Sequence, residues 1–213
     1  MPLSTWITFV VAGMIIAISP GSGAVLSMAH GLAYGVRKAS ATVLGLQLGL
    51  LLVFAIAGAG VGSLLLASEF AFSVVKTIGA LYLIYLGISQ WRAAPATASA
   101  PASAAPQAHP GARRRVLTGF LTNATNPKGI IFMVAVLPQF ISQHAPLLPQ
   151  LLILGATMVT IDTIVMHGYA LLAASMQRWF RDARAVKKQN RFFGAVLMFM
   201  GGALFFVKRG AAS

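Results

Sequence analysis

The sequence predicts an all-α polytopic membrane protein: six transmembrane helices built as two inverted three-helix repeats, with the first and fourth helices broken. Three observations carry this expectation: the composition, the spacing of the apolar runs and a correspondence between the two halves of the chain. Of 213 residues, 58% are hydrophobic and 9% charged, with a mean hydropathy of +0.82, outside the balance of a water-soluble domain. Apolar segments fall at 3–33, 40–67, 70–91, 116–141, 147–176 and 192–207, and about 20 helical residues cross a bilayer core. The net charge of +13 would suggest nucleic acid in a soluble protein. Here the basic residues cluster between apolar runs, where membrane orientation accounts for them, so no nucleic-acid partner is expected. The chain has no cysteine, which excludes disulfides and thiolate metal sites.

The first segment opens "MPLSTWITFVV" with no lysine or arginine ahead of it; it lacks the basic region of a cleaved signal peptide and is expected to stay as the first span. Arg37 and Lys38 follow it, Arg92 and Arg113 to Arg115 follow the third segment, and Arg178, Arg181, Arg184, Lys187, Lys188 and Arg191 follow the fifth. With six spans these twelve of the sixteen basic residues share one face. The positive-inside rule makes that face cytoplasmic and both termini periplasmic, in a bacterial inner membrane; Lys208 and Arg209 run mildly against it. In the second segment Ala41, Gly45 and Gly49 form a stripe of small residues for close helix packing. Between the third and fourth segments "AAPATASAPASAAPQAHPGA" reads as a flexible cytoplasmic linker. The expected organisation is a first repeat at 1–92, a linker at 93–115 and a second repeat at 116–213.

The halves correspond. "KTIGALYLIYLG" at 76–87 aligns without a gap on "RFFGAVLMFMGG" at 191–202, an offset of 115 residues. The same offset sets Gln47 in the second segment over Asp162 in the fifth, and an offset of 107 sets Ser19-Pro20-Gly21 over Asn126-Pro127-Lys128. Because each repeat holds an odd number of spans, the second is inserted upside down.

Each first helix of a repeat therefore carries a capping residue followed by proline, Ser19-Pro20 and Asn126-Pro127, the order expected where a helix starts. Non-helical backbone at membrane depth persists only where protein or a water-filled cavity satisfies it, so matched breaks point to a site at the repeat interface. The half-helix after each proline presents free N–H groups to an anion such as a carboxylate, and Lys128 adds a full charge. Asp162 is the only acidic residue inside a predicted span, and an intramembrane carboxylate is a functional candidate by default. It could pair with Lys128, bind a substrate ammonium, or take up and release a proton. Gln47 could hydrogen-bond the same ligand or simply a neighbouring helix. The candidate substrate-binding set is Pro20, Gly21, Ser22, Gly23, Gln47, Asn123, Asn126, Pro127, Lys128 and Asp162, with Asp162 also a candidate for proton coupling. His167 lies about 140° round the helix from Asp162 and reads as a helix contact; His30, His109 and His144 have no visible partner in the sequence. No metal ligand set, cofactor motif or nucleophile with its base is visible, which argues against an enzyme. The polar residues sit at one depth rather than along a pore, which argues against a passive channel.

Three stretches, "SPGSGAVLSMAHGLAYG" (19–35), "FSVVKTIGALYLIYLG" (72–87) and "GFLTNATNPKGIIFMVAVLPQF" (119–140), resemble the signature regions of the LysE/RhtB family of bacterial amino-acid exporters. The resemblance covers nearly the whole chain outside the linker. It implies a six-helix inner-membrane exporter of amino acids or their derivatives driven by the proton gradient. The family's first motif falls on Pro20 and Gly21, its Asn-Pro-Lys motif on Asn126, Pro127 and Lys128, and its fifth-helix aspartate on Asp162. The family usually reads Pro-Gly-Pro followed by a polar residue; here Ser22 and Gly23 stand instead, and the local shape that selects the substrate differs accordingly. The substrate is expected to be a small neutral or basic amino acid, with efflux of another small amphipathic metabolite or toxic analogue as the alternative. A homo-oligomer is compatible with the chain.

Overall fold

A computed structural model of the chain describes residues 1–66, 69–92, 110–142, 144–175 and 183–206. Every element among them is helical: α1 (Leu3–Ile18), α2 (Ser22–Tyr34), α3 (Val36–Leu66), α4 (Glu69–Arg92), α5 (Ala112–Ala124), α6 (Pro127–Val136) with a short 3-10 extension at Leu137–Phe140, α7 (Leu147–Ser175) and α8 (Ala183–Phe206). By length and composition Val36–Gly60 and Leu147–Ser175 can each cross a membrane. The pairs α1 with α2 and α5 with α6 each pass the same test as one bent element, turning by 57° and 51°. Most of the expected linker, His109 included, lies outside the described residues, as do Arg178, Arg181, Lys208 and Arg209.

Helix packing follows the small residues. The stripe Gly45–Gly49 of α3 lies against α5 so closely that a methyl group at Gly45 would overlap the Val116 carbonyl, and one at Gly119 of α5 would overlap that of Thr42. Gly87 of α4 meets Gly194 of α8, where an added Cβ would lie 2.6 Å from the carbonyl oxygen of the facing glycine in either direction. Such contacts bring backbones together where lipid supplies no hydrophobic drive for association. Between them runs an apolar core that includes Phe9, Phe132, Leu137 and Leu154, with Phe9 and Phe140 in an edge-to-face pair at 5.1 Å. The turn into α7 is held by the buried Gln150, whose Oε1 accepts from the Ser142 amide at 2.8 Å while Nε2 donates to the Ser142, Ala145 and Pro146 carbonyls.

Three helix starts depart from the sequence expectation. Helices α3, α5 and α8 begin at 36, 112 and 183 rather than 40, 116 and 192, because hydropathy marks the lipid-facing stretch whereas arginine and lysine extend a helix readily. Residues 112–115 at the end of the expected linker are helical. Arg115 belongs to α5, where it is buried, donates from Nη1 to the Pro110 carbonyl at 2.6 Å and lies 5.9 Å from the Tyr34 ring. His30 also has a partner: its Nδ1 is 2.5 Å from Thr42 Oγ1. Gly35, at φ 75°, makes the turn between α2 and α3 that brings them together. His167 bridges α7 to α3, its Nε2 lying 3.1 Å from Ser40 Oγ, the helix contact the sequence suggested.

Candidate functional site

Both breaks form where proline and a short polar residue meet, but they are built differently. At the second, α6 starts on Pro127, and Asn126 caps it by accepting from the Lys128 amide at 3.1 Å; proline at the first helical position forfeits no hydrogen bond. At the first break the expectation of a Ser19 cap fails. Ser19 instead closes α1, its amide donating to the Ile15 carbonyl at 3.0 Å, while Ser19 and Gly21 are themselves extended and α2 starts at Ser22 with no side-chain cap. The Ser19 carbonyl is drawn to a cation from the other half of the chain, so Ser19 ends one helix rather than starting the next.

That cation is Lys128. Its Nζ donates to the carbonyls of Ile16 at 3.0 Å and Ser19 at 2.5 Å, the negative end of α1. The side chain passes so near Gly21 that a Cβ there would lie 3.1 Å from Nζ, which gives glycine a steric reason at this position. A second donor reaches the same helix end from α7, as Tyr169 Oη donates to the Ile18 carbonyl at 2.5 Å. Asp162 is not the partner of Lys128. Its Oδ2 accepts from Gln47 Nε2 at 2.8 Å, with both side chains buried, and Gln47 Oε1 is left without a hydrogen-bond partner. Asn123 donates from Nδ2 to the Leu46 carbonyl at 2.8 Å and so fixes α5 against α3 beside Gln47.

These groups surround one cavity between the two breaks. Gly21, Gly23, Asn123, Asn126, Lys128 and Asp162 are on its wall, with Ser19 beside them and an apolar side formed by residues such as Ile16, Leu50, Phe132, Met158 and Met166. Of the residues singled out in the sequence, Pro20, Ser22 and Pro127 shape the breaks without lining the cavity, and Gln47 stands behind Asp162. Ser19 and Tyr169 were missed as site residues. Nothing local distinguishes Tyr169 from any interfacial tyrosine; its contact spans 151 positions. The cavity offers about 40 Å³ to the centres of water molecules, room for about three waters at roughly 10–15 Å³ each. A free amino acid is larger, so admitting one requires the cavity to widen. The wall nonetheless pairs a carboxylate and an ammonium with an uncapped helix start and an apolar flank, a set suited to a small zwitterion.

Residues 14–208 match the LysE type translocator family. The chain belongs to this family. A Salmonella typhi protein named homoserine/homoserine lactone efflux protein is 39% identical over 96% of this chain and 97% of its own. A leucine efflux protein of an Enterobacter species is 29% identical over 94% and 93%, and a Vibrio cholerae protein described as an uncharacterized membrane protein is 42% identical over 94% and 95%. No solved structure matches the chain. The translocator is thus a helical membrane protein of a transporter family, with relatives that are membrane proteins of bacteria.

Proposed function

We propose that this translocator exports a small amino acid or amino-acid derivative from the cytoplasm across the bacterial inner membrane, by alternating access with protons moving inward. The observation that carries the reading is a cavity between two matched breaks, walled by Asp162, Lys128 and the open start of α2, in a chain resembling proteins named for amino-acid efflux. The substrate carboxylate faces the N–H groups at the start of α2 and the Lys128 ammonium. The substrate ammonium pairs with Asp162. The name of the Salmonella typhi relative joins a free acid with its lactone. Those two molecules share an ammonium but not a carboxylate, so anchoring by Asp162 is the feature that would serve both.

Proton coupling is assigned to Asp162. When ionised it accepts from Gln47 and is free to hold an ammonium; when protonated, its hydroxyl can donate to the unpartnered Gln47 Oε1, so either state finds a partner. Substrate release and proton uptake then exchange at one carboxylate. The rocking elements are two inverted repeats. A pseudo-twofold between them would set residues on its axis against their own images, and Gln47 and Asp162, images at an offset of 115, touch. In this orientation the basic helix ends are cytoplasmic and both termini periplasmic.

The test is efflux from proteoliposomes loaded in turn with homoserine, leucine and a panel of other amino acids, with and without a gradient acid on the periplasmic side. Loss of one or a few, accelerated by the gradient, is the expected result. Loss of none would overturn amino-acid export, loss that ignores the gradient would overturn proton coupling, and loss of all would indicate a channel.

A further inference from the structure

A helix that ends inside a membrane leaves its last carbonyls without intrahelical partners, and each must find a donor. The end of α1 meets this need from outside its own half of the chain: Lys128 supplies an ammonium to Ile16 and Ser19, and Tyr169 a hydroxyl to Ile18. Ser19 is almost wholly buried, at 1% exposure, so water is a poor substitute. Two carbonyl oxygens at 2.5 and 3.0 Å from one nitrogen, at the negative pole of a helix and beside a cavity that also holds Asp162, form a cradle for a compact N–H-bearing cation. The geometry points to a cation-binding cradle at the carbonyl end of α1, of which Lys128 is the tethered occupant, whose withdrawal frees the first break to move.

The cradle stands on geometry alone; only the link to transport rests on the export reading. Under that reading, a carboxylate arriving at the start of α2 draws Lys128 away from α1, because a charge-assisted bond to an anion outcompetes one to a neutral carbonyl. The α1 end then loses its tie to α6, and the break whose closure limits the cavity to a few waters is released. A lysine serves where an arginine would not, since the ammonium is a compact point donor on a flexible stem.

The test needs no substrate. In purified protein, Lys128→Ala vacates the cradle, and ethylammonium chloride should then raise the thermal unfolding midpoint by about 2–4 °C. The rise should exceed that of wild type, where the cradle is filled and only Asp162 is left to take the added cation; an equal rise in both proteins would overturn the cradle, and tetraethylammonium, which has no N–H to donate, should raise neither. Absence of an ethylammonium-specific rise in the variant would overturn the cradle. A measurement on wild type covers the case in which the variant does not fold. Acetic anhydride labelling followed by peptide mass mapping should modify Lys128 at least about tenfold more slowly than the exposed Lys38, because its ammonium is engaged by carbonyls. Equal rates would overturn the proposal. Failure of efflux in proteoliposomes would leave both readouts intact, so the two readings fail separately.

Discussion

Asp162→Asn separates the transport role of this carboxylate from any structural one, because the contact with Gln47 survives the change. In the wild type, Gln47 Nε2 donates to Asp162 Oδ2 at 2.8 Å and Gln47 Oε1 has no partner. An asparagine at 162 can accept the same bond through its amide oxygen and, as its NH₂ group now donates, can satisfy Gln47 Oε1 as well. Exchanging a bond to a charged group, worth about 1.5–3 kcal/mol, for one or two neutral bonds of about 1 kcal/mol each leaves folding nearly unchanged. Asp162→Ala differs: it strands the Gln47 amide in a buried position and should cost about 1–3 kcal/mol. For transport the order reverses in importance. Removing one partner of a desolvated charge pair costs about 2–5 kcal/mol, so the substrate ammonium should be recognised about 30- to 4000-fold less well at 1.4 kcal/mol per decade. The assay is initial efflux at subsaturating substrate from proteoliposomes, beside the thermal midpoint and gel-filtration profile of the same preparations. A folded Asp162→Asn protein that exports within twofold of wild type would refute the assignment and leave the aspartate as a helix-packing residue.

Two further predictions concern the framework around the site. Gly45→Ala places a methyl group into the Val116 carbonyl, so α3 and α5 must separate; a loss of about 1–3 kcal/mol is expected, together with the Asn123 to Leu46 bond. Gly168→Ala, with open space around its added Cβ, should be neutral or gain up to about 1 kcal/mol; equal thermal midpoints for the two variants would contradict this packing. Asn126→Ala removes the cap of α6 at an expected cost of about 0.5–2 kcal/mol, whereas Asn126→Asp keeps an accepting oxygen. A variant lacking the cap yet melting at or above wild type would show that the break is held by its surroundings rather than by Asn126.

The parts of this protein legible in its sequence are those whose causes are local. Proline with a preceding polar residue announced both breaks, and the stripe at Gly45 and Gly49 announced a close helix contact, although not that α5 would be the partner. Asp162 and Gln47 stood out because a large polar side chain in an apolar run needs a reason, and the structure pairs them. What stayed hidden depends on residues distant in the chain. Ser19 has the side chain of a helix cap, but its carbonyl is captured by Lys128, 109 positions away, and the start of α2 moves to Ser22. Arg115 looked like the edge of a linker until Pro110 and Tyr34 gave it partners.

The two breaks also explain why a site between matched elements can still be polar in one direction. Both turn through similar angles, 57° and 51°, yet the amide of Lys128 at the start of α6 is already satisfied by Asn126, while α2 starts on a glycine cap with no side-chain acceptor. In the proposed binding mode the α2 end is therefore the better seat for an incoming carboxylate, the ammonium of Lys128, close beside Gly21, adds its charge there, and Asp162, on α7, takes the opposite pole. A zwitterion lying between them would touch α2, α6 and α7 at once, and so would bind best in the arrangement of the breaks that brings all three within reach. Binding and movement of the breaks are then coupled in one event, which is what a carrier requires and a channel does not.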